Sequence, residues 1–265
     1  MNGVCIIRSG NLKESAAVFL FLILSFYLAT VSAQSSSPPE IIAPGPSLEE
    51  QWGRLKNLSP SISWEASGSL LFEAPGERYR LGFRLLARDR RSLRLELSDP
   101  FGRPVYYLVF YQGLTKALSL KDKKVVPLNL PALLKAFPLP SETRWEDIFQ
   151  LFWGRVPLFT GETGPIRIQA DRDPKRMQFV VNGEPPQIIR VEKEPFRVVG
   201  TEFPGRDVSE PIQIFFSDFI ELGGSHWPKK IEARGLDSEK KLTIQYEQIV
   251  PRSDIPDEAF LIAEP

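Results

Sequence analysis

Thiol chemistry is nearly absent from this 265-residue chain, whose single cysteine is Cys5. Removal of the N-terminal segment would leave no thiol at all. Disulfides and thiolate catalysis are therefore excluded, and stability has to come from a core the chain builds itself. Histidine is as scarce: His226 is the only one. That excludes His-rich zinc sites, and without a Ser-plus-carboxylate pattern beside it a Ser-His-Asp triad has no support. Next to Trp227-Pro228 it reads as a loop or strand-end residue. An excess of charge is missing too, since 33 Lys and Arg balance 33 Asp and Glu, which leaves no basic field for nucleic acid. Gly223-Gly224 lacks the lysine and helix of a phosphate loop, and no cofactor is implied. The remaining enzymatic option is a pair of carboxylates in a cleft, as in a glycan hydrolase, but no Asp or Glu sits in an unusual local setting. The expectation is a protein that is not an enzyme.

Long hydrophobic runs are also few, and the one at residues 16–33 is the most informative. Arg8 and Lys13 precede it, Phe19 to Leu24 form its apolar heart, and Val31-Ser32-Ala33 close it with small residues. This is the pattern of an export signal, with cleavage after Ala33. It is shorter than the roughly 20 apolar residues of a spanning helix, although an uncleaved anchor is the alternative. Export implies an envelope compartment, a periplasm. Residues 34–46, with Pro38, Pro39, Pro44 and Pro46, form a Ser/Pro-rich linker. Residues 47–265 then make a single domain.

That domain opens with a helix signal: Ser47 and Glu50 form a capping box, and Leu48, Trp52 and Leu55 share one face. From Ile62 the period changes to two, and alternating or apolar segments run to Tyr111, with shorter ones at 116–119 and 125–126. The middle is helical, with a short turn over 130–134 and a second helix from a Thr143/Glu146 capping box through Phe152 to a stop at Gly154. Seven further strands follow, and Asn182-Gly183 is the most specific hairpin signal among their turns. The fold class is mainly β (α+β). The expected architecture is a curved incomplete antiparallel β-barrel of about eleven strands covered by a few short helices. Phe83, Leu85, Leu95, Leu97, Tyr107, Val109, Phe179, Val181, Phe215 and Phe219 are the inward candidates. Asp99-Pro100-Phe101-Gly102 is unusual, because a turn of this kind normally carries a polar tip, not a Phe.

Several motifs resemble the LolA/LolB lipoprotein-carrier superfamily, most closely its LolB-like branch. They are Trp64 to Leu70 with Gly68 inside, Leu93 to Leu97 leading into Asp99-Pro100-Phe101-Gly102, Phe152-Trp153-Gly154 with Pro157, and Ile255 to Phe260 near the carboxyl end. The resemblance implies an apolar cavity that binds acyl chains of lipoproteins or lipids and takes part in their transfer toward the outer membrane. It implies walls and a lid including Phe83, Leu95, Tyr107, Leu133, Trp145, Phe149 and Phe152. It also implies contact of Phe101 with the outer membrane or a partner. The chain departs from LolB in one respect: Ala33-Gln34 stands where LolB carries its lipid-bearing Cys. A soluble carrier, an anchored relative and a barrel for another apolar ligand all remain open, as does a protein-binding scaffold module of envelope assembly on the same fold.

Overall fold

The computed structural model describes residues 46–57, 63–89, 91–126, 139, 143–158, 165–183, 186–204 and 211–262. The expected signal segment, most of the linker, and the turn over 130–134 with Leu133 lie outside them. Thirteen strands form one sheet: β1 (Ser63–Ala74), β2 (Glu77–Asp89), β3 (Ser92–Ser98), β4 (Pro104–Tyr111), β5 (Leu114–Ser119), β6 (Lys124–Val126), β7 (Ile166–Ala170), β8 (Arg176–Val181), β9 (Gln187–Glu192), β10 (Arg197–Phe203), β11 (Ile212–Leu222), β12 (Ser225–Gly235) and β13 (Lys241–Arg252). Their order is β6-β5-β4-β3-β2-β1-β13-β12-β11-β10-β9-β8-β7. Every pair is antiparallel, and β13 returning beside β1 joins two meanders into a curved, incomplete barrel. The sequence expectation of about eleven strands fell short by β5 and β6, whose apolar stretches are too brief to separate from turns.

The ladder shifts register at several places, and two of them involve residues that the backbone constrains. Opposite Gly68 the β13 strand carries an extra residue, so Gly68 pairs Tyr246 while Ser67 pairs Gln248. The backbones approach so closely there that a Cβ on Gly68 would sit 2.0 Å from the Gln245 carbonyl oxygen and 2.9 Å from the Phe83 ring. Only glycine fits, and the bulge increases the local twist. In β11 the ladder skips Asp218, whose φ is +54°, between the pairs Ser217–Lys230 and Phe219–Pro228. Pro228 has no N–H to donate, so an interior strand accommodates it only at such an interruption.

Helix α1 (Leu48–Lys56) starts as expected: the Glu50 N–H donates to the Ser47 hydroxyl at 3.2 Å, and the Ser47 N–H to the Glu50 carboxylate at 2.7 Å. It buries Trp52 against Phe179, with ring centroids 5.7 Å apart, in a cluster with Val181, Ile189 and Val191. Helix α2 (Trp145–Phe152) packs on the inner face of the sheet in the main core. A 3-10 helix, Asp257–Phe260, covers the outer face, where Phe260 stacks on Tyr111 and Arg88 bridges the Ile255 carbonyl and the Asp257 carboxylate.

Two local expectations are corrected. The α2 N-cap is Arg144, not Thr143, and the box is closed by Asp147, which accepts the Arg144 N–H at 2.9 Å, rather than by Glu146. Thr-x-x-Glu and Arg-x-x-Asp overlap by one residue here, and burial of Asp147 selects the second. Asn182-Gly183 does lie between two paired strands, but β8 ends at Val181 and β9 begins at Gln187. The connection is thus longer than a two-residue turn, and Pro186, just before β9, has no N–H to donate to the ladder.

Candidate functional site

Helix α2 gathers Trp145, Ile148, Phe149, Leu151 and Phe152 toward one side, with Glu146, Asp147 and Gln150 on the other, and its aromatic residues find ring partners. Phe149 stacks on Phe110 at 4.8 Å and under Trp145 at 6.2 Å, while Phe152 meets Phe83 edge-on at 6.2 Å. At its end the Arg155 N–H donates to the Gln150 carbonyl and the Gly154 N–H to that of Leu151, with Gly154 at φ +63°. This paired arrangement closes the helix on a left-handed glycine. The Phe152 carbonyl would be left over; the Tyr246 hydroxyl donates to it at 2.6 Å. Full burial pushes the Tyr246 phenol well above its ordinary pKa, so it stays a neutral donor.

Beyond α2, the barrel centre is occupied by aromatic side chains. Trp64 contacts Trp227 at 4.8 Å, Trp153 at 5.5 Å and Tyr246 at 6.4 Å, all edge-on. Edge-on pairs set ring hydrogens against the electron-rich ring face, each contributing about 0.5–1.5 kcal/mol beyond burial. The indole N–H groups of Trp64 and Trp227 are buried without a partner among the described residues.

A more open pocket of about 610 Å³ is lined by Ser69, Leu71, Arg78, Arg80, Pro100, Thr243 and Gln245, and an apolar one lies on the other flank of α2. A half-open cleft of about 300 Å³ runs between the end of α1, α2, residues 154–158 and strands β9 to β12. Its apolar floor includes Phe149, Trp153, Val156, Val198, Phe219 and Trp227. Two irregularities shape it. An extra residue in β10 shifts the register between Val198 and Gly200, and the interruption at Asp218 precedes Phe219. Gly154 seats the α2 terminus on β12: a Cβ there would come within 2.8 Å of Pro228. Among the described lining residues the polar ones include Lys56, Arg144, Arg155 and Arg197 with one carboxylate, Glu146, and His226 is exposed at the rim. Arg197 lies over the Phe219 ring at 4.2 Å and pairs Glu192 at 2.6 Å.

The residues singled out from sequence separate into four groups. Phe83, Leu95, Phe149 and Phe152 come together in the main core, with Trp145 packed against it; of these only Phe149 also borders the cleft. Tyr107 does not join them. It shares the outer face with Glu96 and Arg94, whose guanidinium lies 4.6 Å from its ring. Leu133 lies outside the described residues. Phe101 is 83% exposed at the β3–β4 turn. That turn is held by Asp99, whose carboxylate accepts the N–H groups of Phe101 and Arg103 at 2.9 and 3.0 Å, and by Gly102 at φ +79°. Burial opposes ionisation of Asp99, but these hydrogen bonds and Arg103 prevail and lower its pKa. Lys56, Val198 and Arg197 were not singled out from sequence. The phase of the α1 stripe was the only available signal for Lys56, and an extra residue inside β10 leaves no local mark.

No family model matches the chain, and no curated protein matches it. Solved structures do. A LolA superfamily protein from Nitrosomonas europaea aligns at 15% identity with TM-score 0.58, covering 82% of this chain and 98% of its own. A DUF1329 family protein from Desulfovibrio piger gives 13% identity and TM-score 0.59, over 80% and 94%. A domain from Vibrio parahaemolyticus named for outer membrane lipoprotein sorting gives 11% and 0.54, over 80% and 93%. Identities this low establish the fold alone: the chain has the fold of the LolA superfamily.

Proposed function

We propose that this protein is an exported, non-enzymatic component of a cell envelope that binds acyl chains of lipoproteins or lipids and takes part in their transfer toward the outer membrane. The observation that carries this reading is the apolar, half-open cleft beside α2 on a lipoprotein-carrier-like fold. With the barrel centre filled, the cleft and not the centre receives the chain, so Phe149 belongs to the binding wall while Phe83, Leu95 and Phe152 support it from behind. Residues 16–33 act as the export signal, and Phe101 supplies contact with the membrane. Native mass spectrometry of the protein purified from an envelope fraction tests the reading. Co-purifying lipid or acylated peptide, displaced by an added acyl chain, is the expected result. Failure to bind any acyl chain, free or peptide-linked, overturns it. N-terminal sequencing that finds Gln34 first confirms cleavage.

A second reading, a protein-binding scaffold module of envelope assembly, draws on the filled centre and on the edge strand β7, where Ile168 is exposed. An open edge offers backbone groups to an added strand. This reading expects Phe101→Asp to be silent in lipid transfer.

A further inference from the structure

The larger, more open pocket lies on the outer face of the sheet, and the ladder explains why a hollow forms there. Leu70 packs into the main core, so the residues on either side of it in β1 point outward. Three cross-strand rows result: Gln245–Ser69–Gly82–Ser98, Thr243–Leu71–Arg80 and Lys241–Glu73–Arg78. Gly82 and its two serine neighbours leave the first row without bulk, and Pro100 of the β3–β4 turn joins the lining.

Among the described residues that lining holds two arginines and no carboxylate. Arg78 pairs with Glu73 at 3.5 Å, and Lys241 shares the same carboxylate at 3.8 Å. Arg80 has no carboxylate partner among the described residues, and its guanidinium reaches the Ser69 hydroxyl at 3.5 Å, the outer limit of a hydrogen bond. Thr243, 8% exposed, buries a hydroxyl without a partner among the described residues. Such a group is costly, and a phosphate offers it acceptors only.

The surroundings point to the source of that phosphate. The pocket sits at the end of the sheet that carries the β1–β2, β3–β4 and β5–β6 turns, where Tyr79, Phe101 and Tyr106 are exposed and Lys121, Lys123 and Lys124 stand in solvent. Exposed aromatic rings beside basic side chains suit the surface of an anionic bilayer.

We propose that this pocket receives the phosphate of an anionic phospholipid head, paired with Arg80 and Arg78 and hydrogen-bonded by the Ser69 and Thr243 hydroxyls, while Phe101 enters the bilayer interface beside it. This rests on the membrane contact of Phe101 proposed above and names the lipid that contact selects. A guanidinium offers phosphate two parallel donors, a geometric match that a diffuse positive surface lacks.

The test is flotation of the protein purified from an envelope fraction with vesicles of phosphatidylcholine, alone or mixed with phosphatidylglycerol. Binding is expected to be about ten-fold tighter to the mixed vesicles. Arg80→Gln lowers that preference several-fold. Thr243→Val, which removes the hydroxyl without changing charge, acts in the same direction, and both variants leave binding to pure phosphatidylcholine unchanged. Lys123→Gln, outside the pocket, measures general surface attraction. Equal losses from Arg80→Gln and Lys123→Gln with Thr243→Val silent overturn the pocket. Calorimetric binding of glycerol phosphate without any preference for the mixed vesicles overturns the lipid as its source. Equal binding to both vesicles that Phe101→Asp abolishes overturns the head-group site and leaves the contact of Phe101 standing. No binding to either vesicle overturns that contact, and the head-group site with it.

Discussion

On one side of helix α2, Phe149 and Phe152 close against Phe110 and Phe83, and the tryptophans behind them fill the barrel centre. On the other, Glu146, Gln150 and Trp153 border a cleft that the strands of the β9–β12 wing leave half open. The same helix is therefore a core element and a wall. The difference comes from the strands opposite: β2 to β4 shift register only at their ends, at Ala87–Asp89 and Leu97–Ser98, whereas β10 shifts at Val198–Gly200 and β11 is interrupted in its middle at Asp218. Regular strands bring their side chains into even layers that a helix can seal, and irregular ones re-aim them and leave a gap.

Substitutions should separate the two sides. Trp64→Ala, at the filled centre and with no exposed surface, is expected to cost about 3–5 kcal/mol in urea unfolding. A loss below about 1 kcal/mol there would show that the centre is not close-packed. Gly68→Ala drives a Cβ against the Gln245 carbonyl and should cost about 1–3 kcal/mol or prevent folding, read as a lowered melting temperature.

Acid offers a comparison between inside and outside. Tyr246 stays neutral and its hydrogen bond to Phe152 is insensitive to pH. On the outer face, burial raises the pKa of Glu232, but hydrogen bonds and charge from Lys241 and Arg234 outweigh it and hold the value below the ordinary 4.5. Glu65, bonded to Arg84 and Arg252, is lowered in the same way. A carboxylate depressed on folding contributes stability above its unfolded pKa and loses it as pH falls toward the folded value. Stability is therefore expected to drop below about pH 4.5, with Glu232→Gln flattening that slope while leaving tryptophan emission unchanged.

Val198→Phe fills the cleft rather than the core. It should shift stability by less than about 1 kcal/mol yet abolish acyl-chain binding in a fluorescent-probe displacement assay. Phe101→Asp, at an exposed tip, should stay within about 0.5 kcal/mol of the parent in unfolding. Its effect should appear only as weaker binding to anionic lipid vesicles in a flotation assay, and unchanged binding would remove Phe101 from membrane contact.

The legible part of the fold was its local grammar. The Ser47/Glu50 box, the Gly154 stop and the period-two segments named both described α-helices and nearly every strand, because each depends on neighbours a few residues away. The parity of strands with apolar residues on both sides was not legible. In β4, Val105 to Tyr111 is apolar throughout, so Tyr107 and Val109 were as plausible inward as Leu108 and Phe110. The structure turns Tyr107 and Val109 outward, where the 3-10 helix covers Val109. Leu95, Phe149 and Phe152 met in one core because β3 and α2 each carry a single apolar phase, and Phe83 joined them from β2, where Leu86 packs on the outer face.

By itself, then, the sequence limited thiols and imidazoles to Cys5 and His226, placed the start of α1 and the stop of α2, and put a phenylalanine at the tip of the Asp99–Gly102 turn. Those properties are composition or short-range geometry, and no distant contact can alter them. Only the tertiary structure decided that the barrel centre is filled and that an apolar cleft opens beside α2. Side chains from α1, α2 and four strands meet there, and whether they close or leave about 300 Å³ depends on shifts of one residue in register that composition does not encode.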